Sequence, residues 1–385
     1  MSEATLIEPD LGFKRWVLST AGESLKKCAQ CGTCSIVCPI SPDHNPFPRK
    51  EIVWAQWGLK DRLLRDPDIW LCHQCNDCAT HCPRGAHPGD LMAALRQRAI
   101  ERYAAPGFLG RWLNEPKRLP LLLAIPAALL AAVIGGGGGF GKIRALPTVD
   151  FDAFFNHIHL DIFFVGFTAL AAIGALAGLA RFWKALSANP VFQGQGGGAG
   201  PAPSVAGAAS DILTHWKFRQ CKAAPRQFLG HLLAFYGFGG LFATTALAFL
   251  LLLIGKKAPY PIWHPVKILG NLSGAAFMAG WALLLLNRRS SRKEAPGSSY
   301  GDWLFLWVIG ATVITGFLAY GARVINSPAP AYSLYFVHLV LVFFLLVYLP
   351  YSKFAHLVYR AVAMFHARLA GREAAAAPSQ EKAAA

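Results

Sequence analysis

Eight of the nine cysteines stand in two copies of one pattern, Cys-x2-Cys-x2-Cys-x3-Cys-Pro. The first copy is Cys28, Cys31, Cys34 and Cys38 followed by Pro39, and the second is Cys72, Cys75, Cys78 and Cys82 followed by Pro83. Three thiolates at this spacing wrap one corner of an iron–sulfur cubane. The fourth, held off by three residues and a proline, reaches the neighbouring cluster when two are present. The expected ligand sets of two 4Fe–4S clusters are therefore Cys28, Cys31, Cys34 and Cys82 for the first, and Cys72, Cys75, Cys78 and Cys38 for the second. Structural zinc favours two separated Cys-x2-Cys knuckles and would leave a third close cysteine over in each copy. A disulfide framework needs an oxidising compartment, and the opening MSEATLIEPD has neither a basic n-region nor an apolar h-region.

The elements that must hold these cysteines differ in kind along the chain. Hydrophobic residues make up 54% of the 385 positions and charged residues 15%, too apolar for a soluble protein of this size. The apolar residues concentrate after position 118. The expected organisation is all-α: a small helical ferredoxin-like domain with two clusters over 1–118, a transmembrane cytochrome b bundle over 119–358, and a largely disordered tail over 359–385. Six spans, each near the ~20 residues that cross a bilayer, are expected at about 119–140, 157–180, 228–254, 266–287, 303–321 and 332–351. Five consecutive glycines, Gly135 to Gly139, should shorten or tilt the first. A Gly, Ala, Pro and Ser stretch at about 188–210 reads as a flexible linker.

Fifteen Lys and Arg lie in the loops and tail on the head's side of the six spans, against six on the other side. That asymmetry places the head and both termini in the cytoplasm, with the body in the inner membrane. The formal charge of +16 gathers beside the spans, where anionic lipid accounts for it and no nucleic-acid partner is required.

Ionisable residues inside spans point to function. By depth, His157 at the outer end of the second span pairs with His338 in the last, and His231 near the inner end of the third pairs with His356. His338 and His356 share the last span and are 18 residues apart, five helical turns, so both should face one side ~27 Å apart along the axis, with any kink at Pro350 loosening that distance without reversing the facing. Two bis-histidine b haems stacked across the bundle would use all four. His159 competes with His157, because a two-residue step turns ~200° about the axis. His215, His264 and His366 are expected at interfaces, His44, His73, His81 and His87 around the clusters, and Cys221 as a free thiol.

Residues 25–102, from LKKCAQCGTCSIVCPI through WLCHQCNDCATHCPRG to DLMAALRQRA, resemble the C subunit of heterodisulfide reductases. The segment VHLVLVFFLLVYLPYSKFAHLV resembles the haem helix of the respiratory nitrate reductase gamma subunit and of the heterodisulfide reductase E subunit. The fusion of the two, with THWKFRQC and HLLAFYGFGGLF between them, resembles the C subunit of the quinone-interacting membrane-bound oxidoreductase (Qmo) complex. In the nitrate reductase pattern a second haem histidine follows ten residues after the first, whereas Phe167 stands ten after His157. The resemblance implies partners of the heterodisulfide reductase A type, flavin and iron–sulfur proteins, and an indirect link to adenylylsulfate reductase in dissimilatory sulfur metabolism. It further implies a membrane quinone as substrate, within an oxidoreductase complex in which this chain performs no group transfer.

A quinone site needs apolar walls and a few polar groups near a haem. His264, Lys267 and Asn271 offer such groups on the outer side, and His215 with Lys217 on the inner. Two other roles stay open on the sequence: an electron-transfer component of a heterodisulfide reductase with a different membrane carrier, or a membrane anchor without haem.

Overall fold

All regular elements are helical, and among the described residues there is no strand. The computed structural model describes residues 8–189, 198–221, 225–256, 258–291 and 299–372. Among the described residues six helices are long and apolar enough to cross a membrane: Pro116–Gly136, His157–Ser187, Pro225–Leu253, Pro265–Ser290, Tyr300–Val324 and Pro328–Val347. The first stops at Gly136, within the glycine run, and Gly138 then turns the chain at φ 73°. Only glycine adopts this left-handed backbone without strain.

The third and fourth spans pack through small residues. A Cβ on Gly237 would stand 2.5 Å from the Phe277 backbone nitrogen, and one on Gly280 would stand 2.5 Å from that of Ala234. Glycine lets two membrane helices approach to backbone contact, which is where packing gains accrue when lipid is as apolar as the side chains.

The head is built around Arg49–Gln56 and Pro88–Tyr103, with short turns carrying the cysteines. It is joined to the body by one continuous core. Trp70 stacks on Tyr359 at 5.4 Å and meets Phe182 of the second span edge-on at 5.7 Å. Trp70 and Phe182 are fully buried, and each ring contributes roughly 2–3 kcal/mol by burial. Tyr351 Oη donates to the Ala105 carbonyl at 2.8 Å, and Arg181 donates to that of Ala104 at 3.1 Å.

Three expectations are corrected. The linker is in part a helix: Pro201–Thr214 packs on the C-terminal helix. Its two prolines lie in the first turn, where a missing N–H costs nothing, and the alanines that follow favour helix. Asp211 anchors it by accepting from Trp216 Nε1 at 2.6 Å and pairing with Lys217 and Arg368. Residues 190–197 of the expected linker lie outside the described residues.

The tail is also ordered as far as Arg372. His356–Leu369 is a helix whose Tyr359, Ala363, Met364 and Ala367 form one buried face. Residues 373–385 lie outside the described residues. Finally, the last span is not one helix through both histidines. It ends at Val347, and two 3-10 turns around Pro350 precede the new helix that starts at His356. Proline lacks the donor that would continue the ladder, and it disfavours helix in the residue before it.

Arg372 secures this end of the chain. It donates to both Asp68 carboxylate oxygens and to the carbonyls of His44 and Asn45. Asp68 also pairs with Lys50 at 2.7 Å, and Lys50 reaches Glu51 and Asp66 at 2.5 Å each. Burial pushes the Glu51 carboxyl up, and the cations Lys50 and Arg372 pair with Asp66 and Asp68. Removing one partner of a buried pair strands the other. Arg372→Met is expected to destabilise the head by about 3 kcal/mol, read as a lower guanidinium midpoint for loss of iron–sulfur absorption. An unchanged midpoint would show that the tail does not clamp the head.

Candidate functional site: a cysteine head on a histidine-lined bundle

The two cysteine groups are positioned by turns in which non-glycine residues accept left-handed backbone. Gln30 lies inside the first motif and Asn45 follows it, and Gln74 and Asn76 lie inside the second, all with φ between 54° and 68°. Such turns bring thiols three residues apart onto one concave surface.

One cavity is lined by Cys28, Cys31 and Cys34 from the first motif together with Cys82 from the second. Cys38 of the first motif instead lies beside Cys72 and Cys75, and Cys78 faces the same group. The chain thus crosses over, each motif lending its last cysteine to the other's site. Donors already point at the sulfurs: Gln74 N–H to Cys72 Sγ and Ala86 N–H to Cys82 Sγ, both at 3.3 Å. Burial first, and neighbouring thiols second, push Cys34 up to about 11 and Cys38 up to about 12. Thiols that resist ionisation unless a cation joins them suit metal ligation, where binding and deprotonation are linked. The donor set fits two four-iron clusters.

The four candidate haem histidines share one feature. Each turns Nδ1 to a hydrogen-bonding partner and so leaves Nε2 for a metal, the orientation an axial ligand needs. His356 Nδ1 donates to the Lys353 carbonyl at 2.7 Å, and His338 Nδ1 to that of Thr312 at 2.9 Å. His157 Nδ1 donates to Asp152 Oδ1 at 2.7 Å, and His231 Nδ1 meets His215 Nε2 at 3.1 Å. Gly316 gives His338 room, since a Cβ there would stand 3.0 Å from its ring. These residues fit b haem.

The structure brings His231 and His356 near one another. At the other end, His338 faces the fifth span while His157 is turned to Asp152; the second span meets the last through Phe163 and Phe167 on Phe343, at 5.7 and 5.1 Å. His159 is exposed and His157 half-buried, so His157 is the better placed of the two. His264 stacks on Tyr260 at 4.5 Å, with its Nδ1 accepting from Val266 N–H. Lys267 lies over the Tyr320 ring at 3.7 Å, one turn beyond Gly316, and Asn271 is half-buried one turn further into the fourth span.

Sequence reasoning missed the residues that join head and bundle. His73, expected around the clusters without a role, stacks on Phe218 at 4.9 Å and 12°. Phe218 in turn meets the His231 ring at 5.7 Å. Arg360 donates to His73 Nε2 at 2.8 Å and to the carbonyls of Leu71 and Cys72. Burial, then this guanidinium, holds His73 well below its usual range and therefore neutral. His215 is buried beside His231 and is not interfacial. Its backbone takes φ 54° to place it there, and local strain of this kind commonly marks a functional position. Cys221 is the free thiol expected, and it is buried beside Cys75 and Asp77. The one available signal was that His215, Phe218 and Cys221 fall within seven consecutive residues.

Known proteins match both the head and the body. A family model described as 4Fe-4S dicluster domain matches residues 24–86, and one described as Citrate utilization protein B matches residues 119–378. A citrate utilization protein B of Escherichia coli is 29% identical over 364 residues, covering 88% of this chain and 89% of that protein. A heterodisulfide reductase C-like subunit of Archaeoglobus profundus is 40% identical over 83 residues, 21% of this chain and 44% of its own length. The C subunit of an H(2):CoB-CoM heterodisulfide,ferredoxin reductase of Methanothermobacter marburgensis is 36% identical over 93 residues, 24% of this chain and 50% of its own length. This chain spans about half the length of these reductase subunits. No solved structure matches. The chain therefore carries an iron–sulfur electron-transfer head on a body of membrane-length helices, and it belongs to the citrate utilization protein B family.

Proposed function

We propose that this chain is the membrane electron-transfer subunit of an oxidoreductase complex, passing electrons between a cytoplasmic flavin or iron–sulfur partner and the quinone pool. The observation that carries this reading is the junction: the second cysteine group abuts the His231 and His356 end of the bundle through His73 and Phe218. When bound, two 4Fe–4S clusters and two b haems supply the one-electron steps. The protein's own residues hold, orient and insulate them. The cysteines set the clusters in the head, Arg360 and Arg96 fix the Cys72 loop through its carbonyl, and His231 with His356 and His157 with His338 present Nε2 to the iron. Lys267, His264 and Asn271 supply polar contacts for a quinone, close to the part of the fifth span that faces His338.

The excess of Lys and Arg on the head's side supports a cytoplasmic head. Two pathways compete for the partner. The resemblance to the Qmo complex points to heterodisulfide reductase A-like flavoproteins and, beyond them, to adenylylsulfate reductase. The similarity over 88% of the chain to a protein named for citrate utilization supports instead a partner that acts in citrate utilization.

Adding a quinol analogue anaerobically to membranes holding the chain is expected to reduce b-type absorption bands at about two haems per chain. Intact clusters with no b-type bands would leave a membrane anchor. Bands that no quinol reduces would point to a different membrane carrier.

A further inference from the structure

The segment 215–221 touches three parts of the electron path at once. His215 supports His231, Phe218 lies between His73 and His231, and the Cys221 sulfur stands against Cys75. Cys221 is only 4% exposed, and its backbone N–H is spent on the Phe218 carbonyl at 3.1 Å. The Lys217 carbonyl is 4.0 Å away, the limit for a thiol hydrogen bond, and the Asp77 carboxylate lies within 4.8 Å of both the Cys221 and Cys75 sulfurs. A buried S–H turns toward a strong acceptor in reach; Cys75 would be a metal-bound thiolate, and the Cys221 sulfur lies beside it.

We propose that Cys221 is a positioning residue of the second cluster that is not one of its ligands. Its thiol donates a hydrogen bond to the Cys75 sulfur and raises the reduction potential of the cluster held by Cys72, Cys75, Cys78 and Cys38. Cys38 already completes that set of four, so a fifth cysteine has no iron to bind. Hydrogen bonds to cluster sulfurs stabilise the reduced, more negative form and so raise its potential. The second cluster is the one beside the histidines, so raising its potential draws electrons toward the bundle end of the head. No oxidant or reductant beyond those of the proposed electron path is involved.

This inference rests on the assignment of the second ligand set, and two variants separate the failure of each. Cys75→Ala in the full chain, held in membranes, is expected to lose one of two four-iron signals in low-temperature electron paramagnetic resonance, which identifies the second cluster. Cys221→Ala is expected to keep both signals and to shift the reduction equilibrium of that cluster alone about tenfold toward the oxidised form, about 59 mV for one electron. Cys221→Ser retains an O–H donor and should recover most of the shift. Unchanged potentials in Cys221→Ala overturn the proposal while leaving the ligand set standing. Loss of the second cluster in Cys221→Ala, or its survival in Cys75→Ala through Cys221, would make Cys221 a ligand and overturn it too. Loss of neither cluster in Cys75→Ala and none in the Cys75→Ala/Cys221→Ala double variant either would overturn the ligand set itself.

Discussion

Replacing Cys82 by alanine should remove the cluster held by Cys28, Cys31 and Cys34 and leave the other intact, although Cys82 belongs to the second motif. The reason is the crossover: Cys82 lines the first motif's cavity, whereas its own motif partners lie with Cys38. An iron that loses its only thiolate is left open to solvent at the more exposed of the two sites, where Cys31 already faces out. Iron content should fall by roughly half, one of two four-iron signals should vanish, and quinone-linked turnover should drop more than about tenfold as the chain of cofactors is cut. Cys38→Ala should do the reverse and spare the first cluster. If Cys82→Ala instead abolishes the signal that Cys75→Ala abolishes, each motif binds its own cluster and the crossover is wrong.

His356→Ala should remove one b haem and spare the one assigned to His338. His356 opens the last helix, on the head side of the Pro350 break, and holds its Nδ1 on the Lys353 carbonyl. Alanine keeps the helix but leaves the iron one axial nitrogen short. The b-band absorption should fall by roughly half, with clusters retained, and transfer from head to quinone should fall by about a hundredfold or more because the junction through Phe218 then leads to an empty site. Loss of both haems would show that the two sites fold together, and loss of neither would rule out the pairing of His231 with His356.

Much of this arrangement was legible because membrane and cluster chemistry leave coarse marks. An apolar run of about twenty residues has few alternatives to a membrane helix, and all six spans appear near their expected limits, the second running on to Ser187, past its expected end near 180. What was not legible depended on contacts distant in sequence. Nothing local in the alanine-rich stretch after residue 200 told helix from linker until Asp211 met Arg368. Nor did the polar end of the chain reveal that Arg372 would be buried on Asp68.

By itself the sequence determined the coarse modules: eight cysteines in two four-residue sets and six membrane-length spans. Periodicity and spacing are local quantities, and these features are local. Only the tertiary structure decided which histidine orients which, that His73 and Phe218 bridge head to bundle, and that the ninth cysteine lies against the second set. Those are pairings across tens to hundreds of residues, set by how packed helices bring distant turns together, and no local pattern encodes them.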